Sequence, residues 1–459
     1  MTTTSVTRAI ADYASFTTTA AVPADVRERA KLVIFDELCC AAFGRSRPAG
    51  TLAAKYAATQ AGQPEAHVLG SDIYTSAPLA ALVNGTSGHA DEIDGAHVVG
   101  GHPGATLVHA AFALSEQKHA GGEELLNAVV LGYDIGVRMI AACGGTFTVK
   151  NVHHLHADFL HAIGAAVAGS RLLGLDANAY PHAMALATFQ SNGLCMLFQE
   201  REHISKAFCN GQYAFAGVSA ALMAAVGLEG ADDFFGGEHG LLDAWGVPDG
   251  ARLATEGLGR DYAIMQANFK FVRAGYPIHA AVEAALSMLE AEGLAAETIG
   301  AVEVGMPEHA LRVVDNRQMH NICLQDMLAV ALVNGGLDLS ASYFPDVLAD
   351  ERFIRLRSRI TLRIDPELQA EQPNGRGSRV TITTVDDRTY TRRVDHPRGH
   401  SARGGATWAD LAQKWHRALP AYDIDAIGAS MQQLERIDDV RTLSKLLGNG
   451  DGYIDDDQP

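Results

Sequence analysis

The stretch EELLNAVVLGYDIGVRMI, residues 123–140, decides the fold class of this chain. Leu125, Leu126, Val129, Val130, Val137 and Ile140 fall on one side at three- and four-residue intervals, the spacing of a helix that buries one face. Glu123 and Glu124 stand in the first turn, where the helix dipole favours negative charge. The same texture runs outward over residues 25–291, in alanine-rich segments broken by Gly, Asn and Pro. Residues 162–173 hold little besides Ala, Gly, Val, Ile and Leu. That composition predicts a helix buried on both faces, with small side chains that let its neighbours come close.

After residue 290 the period changes. TIGAVEVGMP (298–307), FIRLRSRITLRID (353–365) and SRVTITTVDDRTYTRRVDHP (378–397) alternate β-branched with polar residues, the pattern of strands. Asp386 and Asp387 supply a turn between two antiparallel strands in the last of these. A helix over 323–333 separates the first strand from the others, and helices return over 407–419 and 425–447. The order predicts a mainly α protein in which a large all-helical domain, residues 1–269 and 401–459, is interrupted by a smaller α+β domain, residues 270–400. The ending GNGDGYIDDDQP lacks the final glutamate and following helix of a calcium loop, and reads as a disordered acidic tail.

Composition narrows the function. The 459 residues exceed the usual size of one domain, and 47% hydrophobic with 20% charged residues is the balance of a folded globular protein. Against 54 acidic residues stand 36 basic ones, a net charge of -18 that repels both nucleic acid and an anionic membrane surface. A local basic pocket for a small anion remains compatible with that field. The opening MTTTSVTRAIADY lacks a secretory apolar run, and no unbroken run approaches the roughly 18 residues of a membrane span, so cytoplasm is the expected location. Six cysteines without a CxxC pair give no thiolate metal site, and no Walker loop or strand-linked GxGxxG supports a nucleotide cofactor. Chemistry by side chains alone, with no cofactor, is the expectation.

Four clusters could carry that chemistry. NGTSGHADEIDGAHVVGGHPGATLVHAAFALSE (84–116) packs His89, Asp91, Glu92, Asp94, His97 and His102 into a glycine-rich loop, combining imidazole and carboxylate for proton transfer near neutral pH. Pro103 suits the first position of a helix, whose free N–H donors could hold a carboxylate. KNVHHLHADF (150–159) carries His153, His154, His156 and Asp158, readable as acid–base groups, zinc ligands or a solvated loop. REHISKAFCNGQYAFAGVSAALMAA (201–225) places Lys206 at the start of an apolar helix, where a cation is unfavourable unless an anion lies beside it. ANFKFVRAGYPIHAAVEAALSM (267–288) places Lys270, Arg273, Tyr276 and His279 at the junction of the two textures, where pockets are favoured. Lysine occurs only eight times, so Lys206 and Lys270 in apolar segments call for a reason.

HADEIDGAHVVGGHPG (89–104), the Gly132, Tyr133, Asp134 segment with Arg138, GAAVAGSRLLGLD (164–176), SKAFCNG (205–211) and residues 270–285 together resemble the MmgE/PrpD family, which contains methylcitrate dehydratase, cis-aconitate decarboxylase and iminodisuccinate epimerase. The resemblance implies an all-helical domain with a smaller α+β lid, homodimers, and chemistry on small di- or tricarboxylates without metal or nucleotide. By it, Asp91 matches the family's active-site aspartate, His102 its HP histidine, and Lys206 and Lys270 its two lysines. Asp94 lies near a substrate-contacting position, His154 or His156 supplies a further histidine, and Asp326 stands where several relatives carry a tyrosine. Asp91, His102 and His154 or His156 are then assigned to proton transfer, and Lys206, Lys270, Arg273, Asp94 and Asp326 to the substrate. The expected activity is a cofactor-independent lyase, dehydratase or decarboxylase. An epimerase is the alternative, with a zinc hydrolase and a non-catalytic polycarboxylate binder outside that class.

Overall fold

The apolar stripe of residues 123–140 becomes the centre of a helical body. The computed structural model describes residues 5–60, 62–337, 348–372 and 375–448, so the acidic tail lies outside the described residues. Helix Gly122–Ala142 is buried along nearly its whole length. It is the one helix among the described residues long and apolar enough to cross a membrane, and it is a core helix here. Its two interior charges serve the fold: Arg138 Nε donates to Asp134 at 3.0 Å, and the guanidinium also donates to the Glu256 and Asp261 carbonyls. Helix His161–Leu172 crosses it where Gly132 meets Gly164. A Cβ at Gly164 would fall 2.3 Å from the Gly132 carbonyl oxygen, so only glycine permits this approach. Helix Ser205–Ala225 packs against His161–Leu172, Ala179–Gln190 and Ala77–Gly88.

One apolar core joins Phe35, Leu38, Phe112 and Val129 to Leu411, Trp415, Ile427 and Leu443 from the C-terminal helices. A separate core, drawn only from residues 274–382, holds Ile278, Val282, Met306, Leu328, Leu356, Val380 and Ile382. This second core lies on a four-stranded sheet in the order Ile360–Ile364, Ile299–Met306, Ser378–Thr384, Thr389–Val394. The first pair is parallel and the rest antiparallel. Helices His279–Glu292 and Leu324–Asn334 pack against it. Asp387 takes φ 66° in the hairpin turn, the left-handed conformation that aspartate tolerates there.

Three expectations are corrected. Residues 353–357 of the expected strand are helical, in Glu351–Arg357: Asp350 caps the helix through the Arg352 N–H, Phe353 and Leu356 are buried at helical spacing, and only Ile360–Ile364 is strand. The expected helix over 425–447 is three short pieces, Ile424–Gln432, Leu434–Arg436 and Arg441–Leu446. The chain breaks there to pair with the start of the central helix, through Gly122 N–H to the Ile437 carbonyl at 2.7 Å and Val440 N–H to the Ala120 carbonyl at 3.0 Å. Residues 226–266 are mostly turns around the short helices Leu241–Trp245 and Gly250–Thr255.

Candidate active site

The loop between helices Ala77–Gly88 and Pro103–Lys118 carries the first His/Asp cluster. His89 caps the end of one helix and His102 the start of the next, with Pro103 at the first helical position. In between, a short antiparallel pair of Ala96–His97 with Ala267–Asn268 ties the loop to the segment that leads into Lys270. Asp94 is fully buried, accepts from His89 Nδ1 at 2.9 Å, and lies 3.1 Å from His102 Nδ1. His102 Nδ1 also stands 3.0 Å from the Gly95 carbonyl, which can only accept. That nitrogen therefore carries the proton, and a neutral His102 keeps Nε2 as its open acceptor.

Glu92 is the hub of the charges. Its carboxylate accepts from Lys206 in a very short ion pair and from Lys270 at 2.8 Å, with His203 Nε2 at 3.6 Å. Lys206 Nζ also donates to His89 Nε2 at 2.6 Å. Burial alone would raise the Glu92 carboxyl, but the two ammoniums hold it well below the carboxylate range. Asp94 is likewise held well below against its burial, by His89, His102 and Lys270. Burial lowers His89 to about 4, so its imidazole is neutral. Ligating atoms of His89, Glu92, Asp94 and His102 lie within 4.8 Å of one another, a set that could hold a metal ion. Here the Lys206 and Lys270 ammoniums already take up the Glu92 carboxylate, and a metal would have to displace them.

Above this cluster opens a cleft between the two cores. Its lining includes Glu92, His102, Lys150, His156, Asp158 and Lys206 from the helical body, and Tyr276, His309 and Arg376 from the segments around the sheet. His156 is buried, its Nδ1 has no hydrogen-bond partner, and burial lowers it to about 4 despite Asp158. The Asp158 carboxylate accepts the His102 N–H at 3.0 Å, so the carboxylate held at this helix start belongs to the protein itself. The cation at the start of Ser205–Ala225 is relieved in the same way. Glu200 accepts the Ser205 N–H at 3.0 Å, while the Lys206 side chain turns to Glu92.

The expected site residues divide. His102, His156 and Lys206 line the cleft; Asp94 and Lys270 lie beneath it, bonded to residues that do. Asp91 points away: its carboxylate pairs with Arg273 at 2.5 Å and Arg47 at 3.2 Å. Glu92 takes φ 54°, and this reversal sends residues 91 and 92 to opposite sides. Arg273 is thereby engaged with a protein carboxylate. His154 is exposed at φ 58° and His153 packs against Trp245, so the three histidines of the zinc reading do not converge. Asp326 lies in a separate open groove, paired with His320 at 2.6 Å and with Arg357. Sequence reasoning had Glu92, His89, His203 and Asp158 inside its clusters without assigning them. Lys150 opens the 150–159 cluster and is likewise unassigned, whereas His309 and Arg376 stand alone in the sequence and carry no such signal.

Fold and site together define a mainly helical protein in which residues around a small sheet and residues of the helical body line one cleft above a buried carboxylate–imidazole–ammonium cluster. Residues 8–253 match the MmgE/PrpD N-terminal domain and residues 273–434 the MmgE/PrpD C-terminal domain, and the chain belongs to this family. Similar curated proteins include a cis-aconitate decarboxylase-like protein of Aspergillus oryzae, 31% identical over 48% of this chain and 46% of its own length. A cis-aconitate decarboxylase of Aspergillus terreus is 31% identical over 41% of this chain and 40% of its own. The matched stretch thus spans less than half the length of either relative.

Proposed function

We propose that the protein is a lyase that removes the proton next to a carboxylate of a small di- or tricarboxylate, using side chains alone. The observation that carries this reading is the Asp94–His102 pair, with Nδ1–H fixed by Gly95 and Asp94 and Nε2 left for a substrate proton. Family membership and the two decarboxylase-named relatives agree with it. His102 takes the proton from the α-carbon, and Asp94 stabilises the imidazolium that forms, the role of an orienting carboxylate behind a general base. The electron pair moves into the substrate carboxylate, where the Lys206 ammonium offsets the growing charge. Loss of a β-hydroxyl as water, with the proton returned by His102, gives an alkene. In decarboxylation the order reverses: His102 enters the step as the imidazolium, carbon dioxide leaves first, and Nε2–H then protonates the carbon, which leaves the neutral ring. Asp91 has no part in this reading, because Arg273 and Arg47 hold it.

A specific feature favours one rival. Two imidazoles, His102 and His156, line one cleft, the layout needed to remove a proton from one face and return one to the other. Incubation of hydroxy- and amino-substituted polycarboxylates in D₂O, followed by proton NMR, separates the two. New vinylic signals or released carbon dioxide are expected. Deuterium at the α-carbon with the opposite stereoisomer, and no alkene from any substrate, would make the protein an epimerase instead.

A further inference from the structure

The cations expected to bind substrate are largely spent within the protein. Lys206 and Lys270 face Glu92, and Arg273 faces Asp91. Two other cations line the cleft, and among the described residues neither has a carboxylate within ion-pair distance. Lys150, on helix Gly145–Asn151, lies over the Phe198 ring at 4.7 Å. Arg376, just before strand Ser378–Thr384, lies over the Phe147 ring at 5.2 Å and donates to the Val98 carbonyl at 3.1 Å. Its Nε is buried without a hydrogen-bond partner. So are Tyr276 Oη and His309 Nε2, which line the same cleft, with the His309 ring 3.9 Å from that of Phe147. With Thr146 Oγ1 and His156 Nδ1, five buried polar atoms of this lining lack a hydrogen-bond partner, and a buried group without a partner costs more than a bond gains. A carboxylate is the group that answers a guanidinium, a phenol and an imidazole N–H at once.

We propose that Arg376, Tyr276 and His309 receive one carboxylate of the substrate and Lys150 a second, so that these residues, and not Lys270 or Arg273, set the requirement for a polycarboxylate. The inference rests on the reading of the cleft as a site for small polycarboxylates. Lys150 belongs to the helical body and the other three to the sheet-bearing domain, so the substrate bridges the two. A monocarboxylate leaves either the Lys150 ammonium or the three-residue receptor unfilled, and binds weakly for that reason.

The test uses the whole chain and three probes by calorimetry: tricarballylate, succinate and butyrate. Wild type should bind tricarballylate and succinate and bind butyrate poorly. Arg376→Met and Lys150→Met should each weaken tricarballylate binding by about 10- to 100-fold, the range for a hydrogen bond to a charged group. Arg376→Lys and Lys150→Arg, which keep the charge and serve as folding controls by circular dichroism, should recover part of the loss. In the turnover assay the Met variants should raise KM far more than they lower kcat. Wild-type affinity for tricarballylate in both Met variants overturns this assignment and leaves the proposed function standing. Wild type that binds and turns over no polycarboxylate overturns both.

Discussion

Because a backbone carbonyl can only accept a hydrogen bond, Gly95 settles which nitrogen of His102 is protonated. Asp94 reinforces that choice and makes it for His89 as well, so one buried carboxylate aligns two imidazoles. Asp94→Asn keeps the shape, and Gly95 still holds the Nδ1 proton, but a neutral amide no longer stabilises the imidazolium that forms on His102. The expected result is a fall in kcat of about 10²–10⁴-fold, the usual worth of general acid–base catalysis, with little change in KM. Steady-state kinetics give the first half of the test and nitrogen NMR of the His102 ring the second; an unchanged kcat would remove Asp94 from the mechanism. The site was legible in sequence to this level and no further. Residues 89–102 announced themselves by the density of His, Asp and Glu, yet Asp91 and Glu92 are neighbours of like charge, and only the positive φ at Glu92 decides which faces inward. His154 and His156 posed the same problem, which burial resolves in favour of His156 as the cleft residue. Lone residues brought in by tertiary packing, such as Arg376, had no local pattern to betray them.

Two helices far from the loop in sequence hold it in place. From helix Trp408–Ala418, Lys414 Nζ donates to Asp36 at 2.7 Å and to the Ile93 carbonyl at 3.1 Å; Trp415 Nε1 donates to the same Asp36 at 2.8 Å. From helix Ala24–Gly44, Glu37 accepts the Gly95 N–H at 3.0 Å. Ile93 and Gly95 flank Asp94, so these contacts fix the carboxylate that aligns His102. Lys414→Met leaves Asp36 buried without its cation and should cost about 3–5 kcal/mol, read as a lowered melting temperature. Adding Asp36→Asn removes the stranded charge and should restore most of that stability. Activity should not follow, because the Ile93 carbonyl has lost its donor in both variants. If kcat returned with the melting temperature in the double variant, Lys414 would be a structural cation only. At this scale much of the architecture could be read in advance. Helical periodicity found the core helices, and alternation found Ile299–Met306 and the hairpin. It failed for Glu351–Arg357, where alternating Arg and apolar residues fit either period until the Asp350 cap selects helix. It failed again after residue 425, where pairing with Ala120 and Gly122 overrides helix propensity.

Over the whole molecule, burial keeps many histidines uncharged, and this sets the response to acid. Ten of them, His67, His89, His97, His109, His156, His161, His203, His279, His309 and His400, are pushed below their ordinary 6.5, in each case chiefly by burial. His89, His97, His156, His161, His309 and His400 are lowered to about 4, His109 and His279 to about 3. In the window from about 6.5 down to about 4 the unfolded chain therefore binds more protons than the folded one. Stability from these groups is fully present above 6.5 and is lost as pH falls through that window. Glu116 works the other way: burial raises it to about 7, so its contribution is present below 4.5 and is lost as pH rises through 7. Asp36, Glu37, Asp91 and Asp134, raised chiefly by burial, oppose the histidines as well, but they are fewer. The net charge of -18 gives a contrary expectation, because partial neutralisation on acidification relieves self-repulsion and should stabilise the fold. The two effects have opposite signs, so one measurement decides between them. Melting temperature at constant ionic strength should fall steadily from pH 7 to pH 5. Calorimetry near pH 5.5 in buffers of different ionisation enthalpy should register net proton uptake on unfolding. A melting temperature that is flat or rises toward pH 5, or proton release on unfolding there, would mean that surface repulsion and the raised carboxyls outweigh the buried imidazoles.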